Sequence, residues 1–397
     1  MTARESGLSA KLLFVLALLT ALGPLSIDIY TPSLPTIQRE FAASDAAVQA
    51  SVTACLLGIA LGQLLWGPIS DRVGRRPVIL AGVAGWILAS LASALAPTVG
   101  VFVAVRFLAG LCGAAGIVVA RSVVRDRASG AAEVASGVGV LSMVTAVAPV
   151  VAPLTGAAIA LAWGWRADFG VLVGLGIAIA LAVATLVPES LPVERRSGGG
   201  PGQVVRALGG ALRDRQLLLV AIGLACHSFG FYGYIAGASF IVEGQYGRPP
   251  LVFAVVFGTN AAAMLGANLL FRRVSRTRHP SWGLGLGYAL ASASGVLMVV
   301  AGWLDPSGIA VWAFSIVFAG ATGLVLPGAH SWGQLTRVPS GAASAITGSF
   351  QFLGGVLGSP VTGLLGATAG SLGAVIAVSS GTALASWALA LRHRERE

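Results

Sequence analysis

The sequence predicts an all-α membrane protein of twelve transmembrane helices, arranged as two six-helix pseudo-repeat halves. Three observations lead there. Apolar stretches long enough to cross a bilayer recur twelve times, arginine clusters fall between alternate stretches, and a basic motif after the second stretch returns about half a chain later. Composition fixes the class. Hydrophobic residues make up 56% of the 397 positions and charged ones 10%, whereas a water-soluble domain carries about 25% charged residues. Such a chain cannot cover a water-facing surface, and its solvent must be the lipid bilayer.

A spanning helix needs roughly 20 mostly apolar residues. Stretches of that kind lie at 12–32, 48–66, 78–96, 99–122, 134–163, 169–187, 217–242, 251–271, 282–304, 309–329, 342–365 and 372–391. Arg4 and Lys11 precede the first as they would in a signal peptide. Its apolar core, however, outruns the ~7–15 residues of a signal h-region and no small-residue cleavage site follows promptly, so it reads as a retained span. Gly110, Gly113 and Gly116 give the fourth span small residues that let helices pack closely. Cys55, Cys112 and Cys226 sit far apart within apolar runs. They read as small buried hydrophobes, with neither a disulfide framework nor metal spacing.

Direction follows from the basic residues. With the N-terminus inside, 21 of the 25 Lys and Arg fall on the inner side, Arg39, Arg166 and Arg248 fall outside, and Arg106 lies within the fourth span. The positive-inside rule then places both termini in the cytoplasm, with the chain in the cytoplasmic (inner) membrane. The net charge of +10 is spread along these turns and forms no basic patch interleaved with aromatics, so nucleic acid is not an expected partner.

The longest polar stretch, 188–216, reads as a cytoplasmic linker between an N-terminal half, 1–187, and a C-terminal half, 217–397. Its Ser197-Gly198-Gly199-Gly200-Pro201-Gly202 run is unsuited to a helix. The halves echo each other, because Arg72-Val73-Gly74-Arg75 returns as Arg273-Val274-Ser275-Arg276. Parallel repeats of this kind are a transporter device.

Two charged residues stand out inside the spans. Asp28 is the only acid squarely within an apolar segment, and a carboxylate in hydrocarbon costs ~2.5 kcal/mol or more, which marks it as functional. At ~1.5 Å per residue it lies ~24 Å from the inner boundary of a ~30 Å core. Arg106, entered from the other side, lies ~10 Å below the outer boundary. Both fall in the outer half at similar depth.

Gly67-Pro68-Ile69-Ser70-Asp71-Arg72-Val73-Gly74-Arg75-Arg76-Pro77 closely resembles the loop 2–3 signature of the major facilitator superfamily. Asp28-Ile29-Tyr30-Thr31-Pro32-Ser33-Leu34-Pro35 resembles the first span of the bicyclomycin/chloramphenicol-resistance (Bcr/CflA) drug/proton antiporters, and Arg125-Asp126 is similar to the same subfamily. Ala148-Pro149-Val150-Val151-Ala152-Pro153-Leu154-Thr155-Gly156-Ala157 is similar to the antiporter signature on the fifth span, with Ala152 and Ala157 where the signature has glycine. Arg106 matches the superfamily's motif B arginine.

The resemblance implies the twelve-helix major facilitator fold. It implies a conformational latch in Gly67, Asp71, Arg72, Gly74, Arg75 and Arg76, with Asp71 and Arg75 holding the outward-facing arrangement. Pro149, Pro153 and Gly156 would bend the antiporter helix, and Asp28 and Arg106 would meet, or compete for the coupling proton, in a central cavity. Tyr30, His227, Phe231, Tyr232, Tyr234, Phe350 and Gln351 are candidates for lining that cavity.

The expected activity is proton-coupled multidrug efflux, an antiport of small, largely apolar compounds that confers antibiotic resistance. A proton-coupled importer or a metabolite exporter on the same fold is the alternative. No metalloprotease motif, P-loop or nucleophile elbow in context occurs. Neither an enzyme nor an ATP-driven pump is therefore expected, no cofactor is needed beyond the proton gradient, and the partners are a small-molecule substrate, protons and the lipid bilayer, for a chain acting as a monomer.

Overall fold

The computed structural model describes residues 7–196, 201–366 and 368–394, and among them every regular element is helical. The first six long helices are α1 (Ala10–Asp28), α3 (Asp45–Val73), α4 (Arg75–Ala94), α5 (Val99–Arg127), α6 (Ala131–Trp163) and α7 (Arg166–Leu186). Short α2 (Leu34–Glu40) follows α1 after a 3-10 turn, Thr31–Ser33. Then come α8 (Pro201–Arg213), α9 (Arg215–Ser239), α10 (Pro250–Val274), α11 (Ser281–Leu304), α12 (Ile309–Gln334), α13 (Ser340–Leu364) and α14 (Ala369–Arg394). Each predicted span overlaps one of these helices, although 12–32 and 217–242 run past the ends of α1 and α9. Nine of the helices, among the described residues, are long and apolar enough to cross a membrane.

Local chemistry explains the boundaries. Ser9, Thr98 and Asp214 cap α1, α5 and α9 by accepting from Leu12, Val101 and Leu217 amides at 3.2, 3.3 and 2.8 Å, the usual way to satisfy a helix's orphan first-turn donors. Leu161, Trp163, Trp303, Leu304 and Leu364 are each more than three-quarters exposed, which is tolerable only against lipid. One local expectation fails. Pro201 and Gly202, read from sequence as part of a run unsuited to a helix, open α8. Proline at a first helical position has no needed N–H to lose and a φ already suited to the helix. Ser197 to Gly200 lie outside the described residues.

The chain packs as two units, Met1–Ala211 with Arg337–Ser349, and Leu212–Thr336 with Phe350–Glu397. In the first, α3 packs along α5, α4 against α5 and α7, and α1 against α5, α6 and α7. In the second, α10 packs along α12, α11 against α12 and α14, and α9 against α14. The second-with-fourth, third-with-fourth, third-with-sixth and first-with-sixth spans therefore pair in both units.

Candidate functional site

Where α1 ends, its last carbonyls have no helical partner. The Ser26 carbonyl accepts from Arg106 Nη2, and the Ile27 carbonyl accepts from Thr31 Oγ1 at 2.8 Å. A cation there also meets the negative end of the helix dipole. Arg106 is fully buried, with its guanidinium 4.9 Å from the Tyr30 ring centre and 5.3 Å from that of Phe169, within cation–π reach. It reaches Cys55 Sγ at 3.3 Å, while Nε and Nη1 have no partner. Trp86 Nε1 donates to Ser26 Oγ at 2.6 Å and braces the same turn.

Asp28 is the last residue of α1 and is half-buried. Contrary to the expected meeting with Arg106, no ion pair joins them, and among the described residues Asp28 has no hydrogen-bond partner. The reason is local. A backbone carbonyl and two aromatic faces hold the guanidinium instead. Gly156 does bear on this point: a Cβ there would overlap the Ile29 carbonyl oxygen, so α6 touches the backbone beside Asp28. Pro153 is half-buried in α6, and the Pro149 side chain lies outside the described residues.

The expectation that Asp28 is the only acid within an apolar segment needs correction. Asp168, in the first turn of α7, is fully buried. Its Oδ2 accepts from Ser33 Oγ at 3.4 Å and its Oδ1 has no partner. The span boundary set at 169 left it out by one residue.

The 67–77 segment, which is the end of α3, the Gly74 turn and the start of α4, is built around Arg75, which is 1% exposed. Its guanidinium pairs with Asp71 Oδ1 and Asp126 Oδ2, both at 2.8 Å, and donates to Ser70 Oγ at 2.7 Å and Ser340 Oγ at 2.6 Å. Asp71 in turn accepts from the Gly341 and Ala342 amides at 3.0 and 3.1 Å, supplying the first turn of α13 with an anion. Gly67 faces Gly341 so closely that a Cβ on either would overlap the other's carbonyl oxygen, and Gly74 turns the chain at φ +110°. Glu189 caps α4, accepting from the Arg75 and Arg76 amides at 2.9 and 3.2 Å. Arg76 donates to the Ala184 carbonyl, and Arg72 is half-buried without a hydrogen bond or ion pair.

The aromatic candidates of the second unit fall into sets. His227 is fully buried, with Nε2 3.0 Å from Thr322 Oγ1 and Nδ1 3.3 Å from Ser380 Oγ. Thr322 gives its proton to the Phe318 carbonyl, which leaves the imidazole Nε2–H as the donor to Thr322 Oγ1. Tyr234 shares Phe318 with His227 and bonds Asn260. Phe231 meets Tyr232 edge to face at 5.5 Å and Tyr232 meets Phe352 at a tilt at 6.2 Å, while Gln351 Oε1 accepts from His330 Nε2 at 2.8 Å. Phe350 is half-buried, and Tyr30 belongs to the first unit, its hydroxyl 3.0 Å from Ser51 Oγ.

Residues 16–359 match the family model described as Major Facilitator Superfamily. The chain belongs to that superfamily. Curated relatives narrow it. It is 35% identical over 376 residues to the Bacillus subtilis "Uncharacterized MFS-type transporter YdgK", covering 93% of this chain and 92% of that one. It is 28% identical to the Haemophilus influenzae "Bicyclomycin resistance protein homolog", over 92% and 94%, and 31% identical to the Pseudomonas aeruginosa "Chloramphenicol resistance protein", over 85% and 79%. These place it with the Bcr/CflA-like subfamily. Among solved structures, the human organic anion transporter MFSD10 matches with a TM-score of 0.76 at 17% identity, covering 96% of this chain and 99% of that one, and supports the fold. As a major facilitator protein the chain is a multi-pass membrane transporter of small molecules and not an enzyme.

The residues of these two clusters that the motifs did not single out are Ser26, Trp86, Phe169, Asp168, Glu189 and Ser340. Pro188-Glu189-Ser190 opens the stretch expected to be linker, and that acid beside a helix-ending proline was the available signal.

Proposed function

We propose that this chain is a proton-driven antiporter that exports small, largely apolar compounds, drugs included, by alternating access. Asp28 carries the proposal: a carboxyl at the end of an apolar helix, without ion pair or hydrogen bond, two residues past the carbonyl that the buried Arg106 holds. Such a group can gain or lose a proton without dismantling its surroundings. The resistance named in the relatives supplies the substrate class. Asp28 takes a proton from outside as substrate leaves and releases it to the cytoplasm. Each charge moved gains ~2.3 kcal/mol per 100 mV, so no cofactor is required. Both termini lie in the cytoplasm, and a single chain completes the cycle.

The Asp71–Arg75 cluster acts as the latch. It grips the first turn of α13, a helix that runs on beyond Ser349 into the second unit, so letting go of Gly341 and Ala342 frees that helix to move.

The test uses an efflux-deficient bacterial host and inverted membrane vesicles. Wild-type protein should raise resistance to chloramphenicol or bicyclomycin, and adding the drug to acid-loaded vesicles should drain protons from them. Asp28→Asn mimics the protonated acid and should abolish both at equal membrane levels. Full resistance and proton flux in the Asn variant would remove Asp28 from coupling. Proton and drug moving in the same direction would replace antiport with import.

A further inference from the structure

We propose that Asp168 is a second proton-holding carboxyl of the first unit, a site distinct from Asp28. Consider how the other acids of this protein are satisfied. Asp71 takes Arg75 and two α13 amides; Asp126 takes Arg75. Glu189 takes three backbone amides, and Asp214 and Asp305 each cap a helix. Glu133 and Glu40 likewise accept from N–H donors. Among the described acids that are not exposed, Asp28 and Asp168 are the two with no N–H partner.

Asp168 is also the less exposed of the two, with no accessible surface at all. An acid near a helix start ordinarily accepts first-turn amides, as Asp305 does from Ser307 and Ala310. Asp168 accepts none. Among the described residues, no cation on the elements around it forms an ion pair with it. Arg166 pairs with Glu40 at the surface, Arg39 turns back to the Pro35 carbonyl and Thr36 Oγ1, and Arg106 rests over the Phe169 ring with its Nη2 on Ser26. Within α4, which packs along α7, no charged residue occurs beyond Arg76, and α6 carries only Glu133, at its opposite end. Tyr30 and Cys55 are the other ionisable groups of the cluster, and both face Arg106.

An ionised, buried carboxylate with one long hydroxyl contact and one bare oxygen would cost far more than a neutral acid, whose proton can be shared with Ser33 Oγ. Charge counting agrees. Asp28, Asp168 and Arg106 sum to zero only when one of the two acids carries a proton. Ser33 lies five residues past Asp28 on the same segment, so the Asp168 site touches the chain that carries the coupling acid. Occupancy of Asp168 stands whether or not Asp28 couples transport to protons.

Infrared difference spectroscopy of the purified full chain in lipid nanodiscs, titrated across pH without substrate, reads protonated carboxyls directly. Asp168→Asn should remove one protonated-carboxyl component at neutral pH, and Asp28→Asn should leave that component in place. Ser33→Ala, a milder change that keeps the acid, should shift its frequency. An Asp168→Asn spectrum identical to wild type, or a component that ignores Ser33→Ala, overturns the proposal. If Asp168→Asn does not yield folded protein, the Ser33→Ala arm decides alone.

Discussion

Two charged regions of the first unit are built in opposite ways. In the 67–77 loop each acid has more than one donor and the central arginine has four acceptors, from Ser70, Asp71, Asp126 and Ser340. Where α1 ends, one buried cation keeps two bare nitrogens while two acids nearby keep no N–H partner. A buried network pays its desolvation cost only when nearly every lone pair and proton is matched. A saturated region therefore holds a geometry, and its members cannot leave singly. An unsaturated one has capacity left for a proton or a ligand. On the proposed function, the first region sets the protein's shape and the second is where a proton can be held.

Removing Arg75 should show the contrast most strongly. Arg75→Ala strands Asp71 and Asp126 and should cost about 3–5 kcal/mol, the usual penalty for breaking a buried pair from one side. A large fall in the melting temperature of detergent-solubilised protein is expected, with transport lost. Arg72→Ala, at a side chain with no polar partner, should melt and transport like wild type. Equal losses in the two variants would mean that loop charge, and not the specific network, matters.

Next in size is Gly156→Ala. The added methyl must push α6 away from the Ile29 carbonyl, and overpacking of this kind costs about 1–3 kcal/mol. Because the displaced backbone adjoins Asp28, transport should fall further than stability alone explains if Asp28 has the proposed role. Wild-type transport at matched folded protein would show that the end of α1 tolerates movement.

The smallest effect lies away from both regions. Burial, with Arg394 assisting, holds the His279 imidazole down to about 4, against an unfolded value near 6.5. The neutral ring is the one the fold accepts, so its contribution is complete above about pH 6.5 and drains away as pH falls toward 4. Partial exposure keeps the amount small. Melting curves of His279→Gln against wild type between those pH values should converge as the pH drops; parallel curves would mean that His279 titrates as in water.

The sequence by itself determined the helices, because hydropathy over twenty residues and basic clusters at their ends are properties of contiguous stretches. It also showed the loop motif and singled out Asp28 and Arg106 as charges in apolar runs. Tertiary structure alone decided what each charge meets. Asp71 finds Gly341 270 residues away, Arg106 finds Ser26 80 residues back, and Asp168 finds Ser33 across 135. The burial of Asp168 was invisible because its neighbours Trp165 and Arg166 read as a loop, while its enclosure comes from a turn of another segment. His227 and Gln351 carried no signal of their partners Thr322, Ser380 and His330 for the same reason. Hydropathy reports whether a stretch prefers lipid, whereas a polar atom's partner depends on which helices pack together, and that is settled only when the fold closes around it.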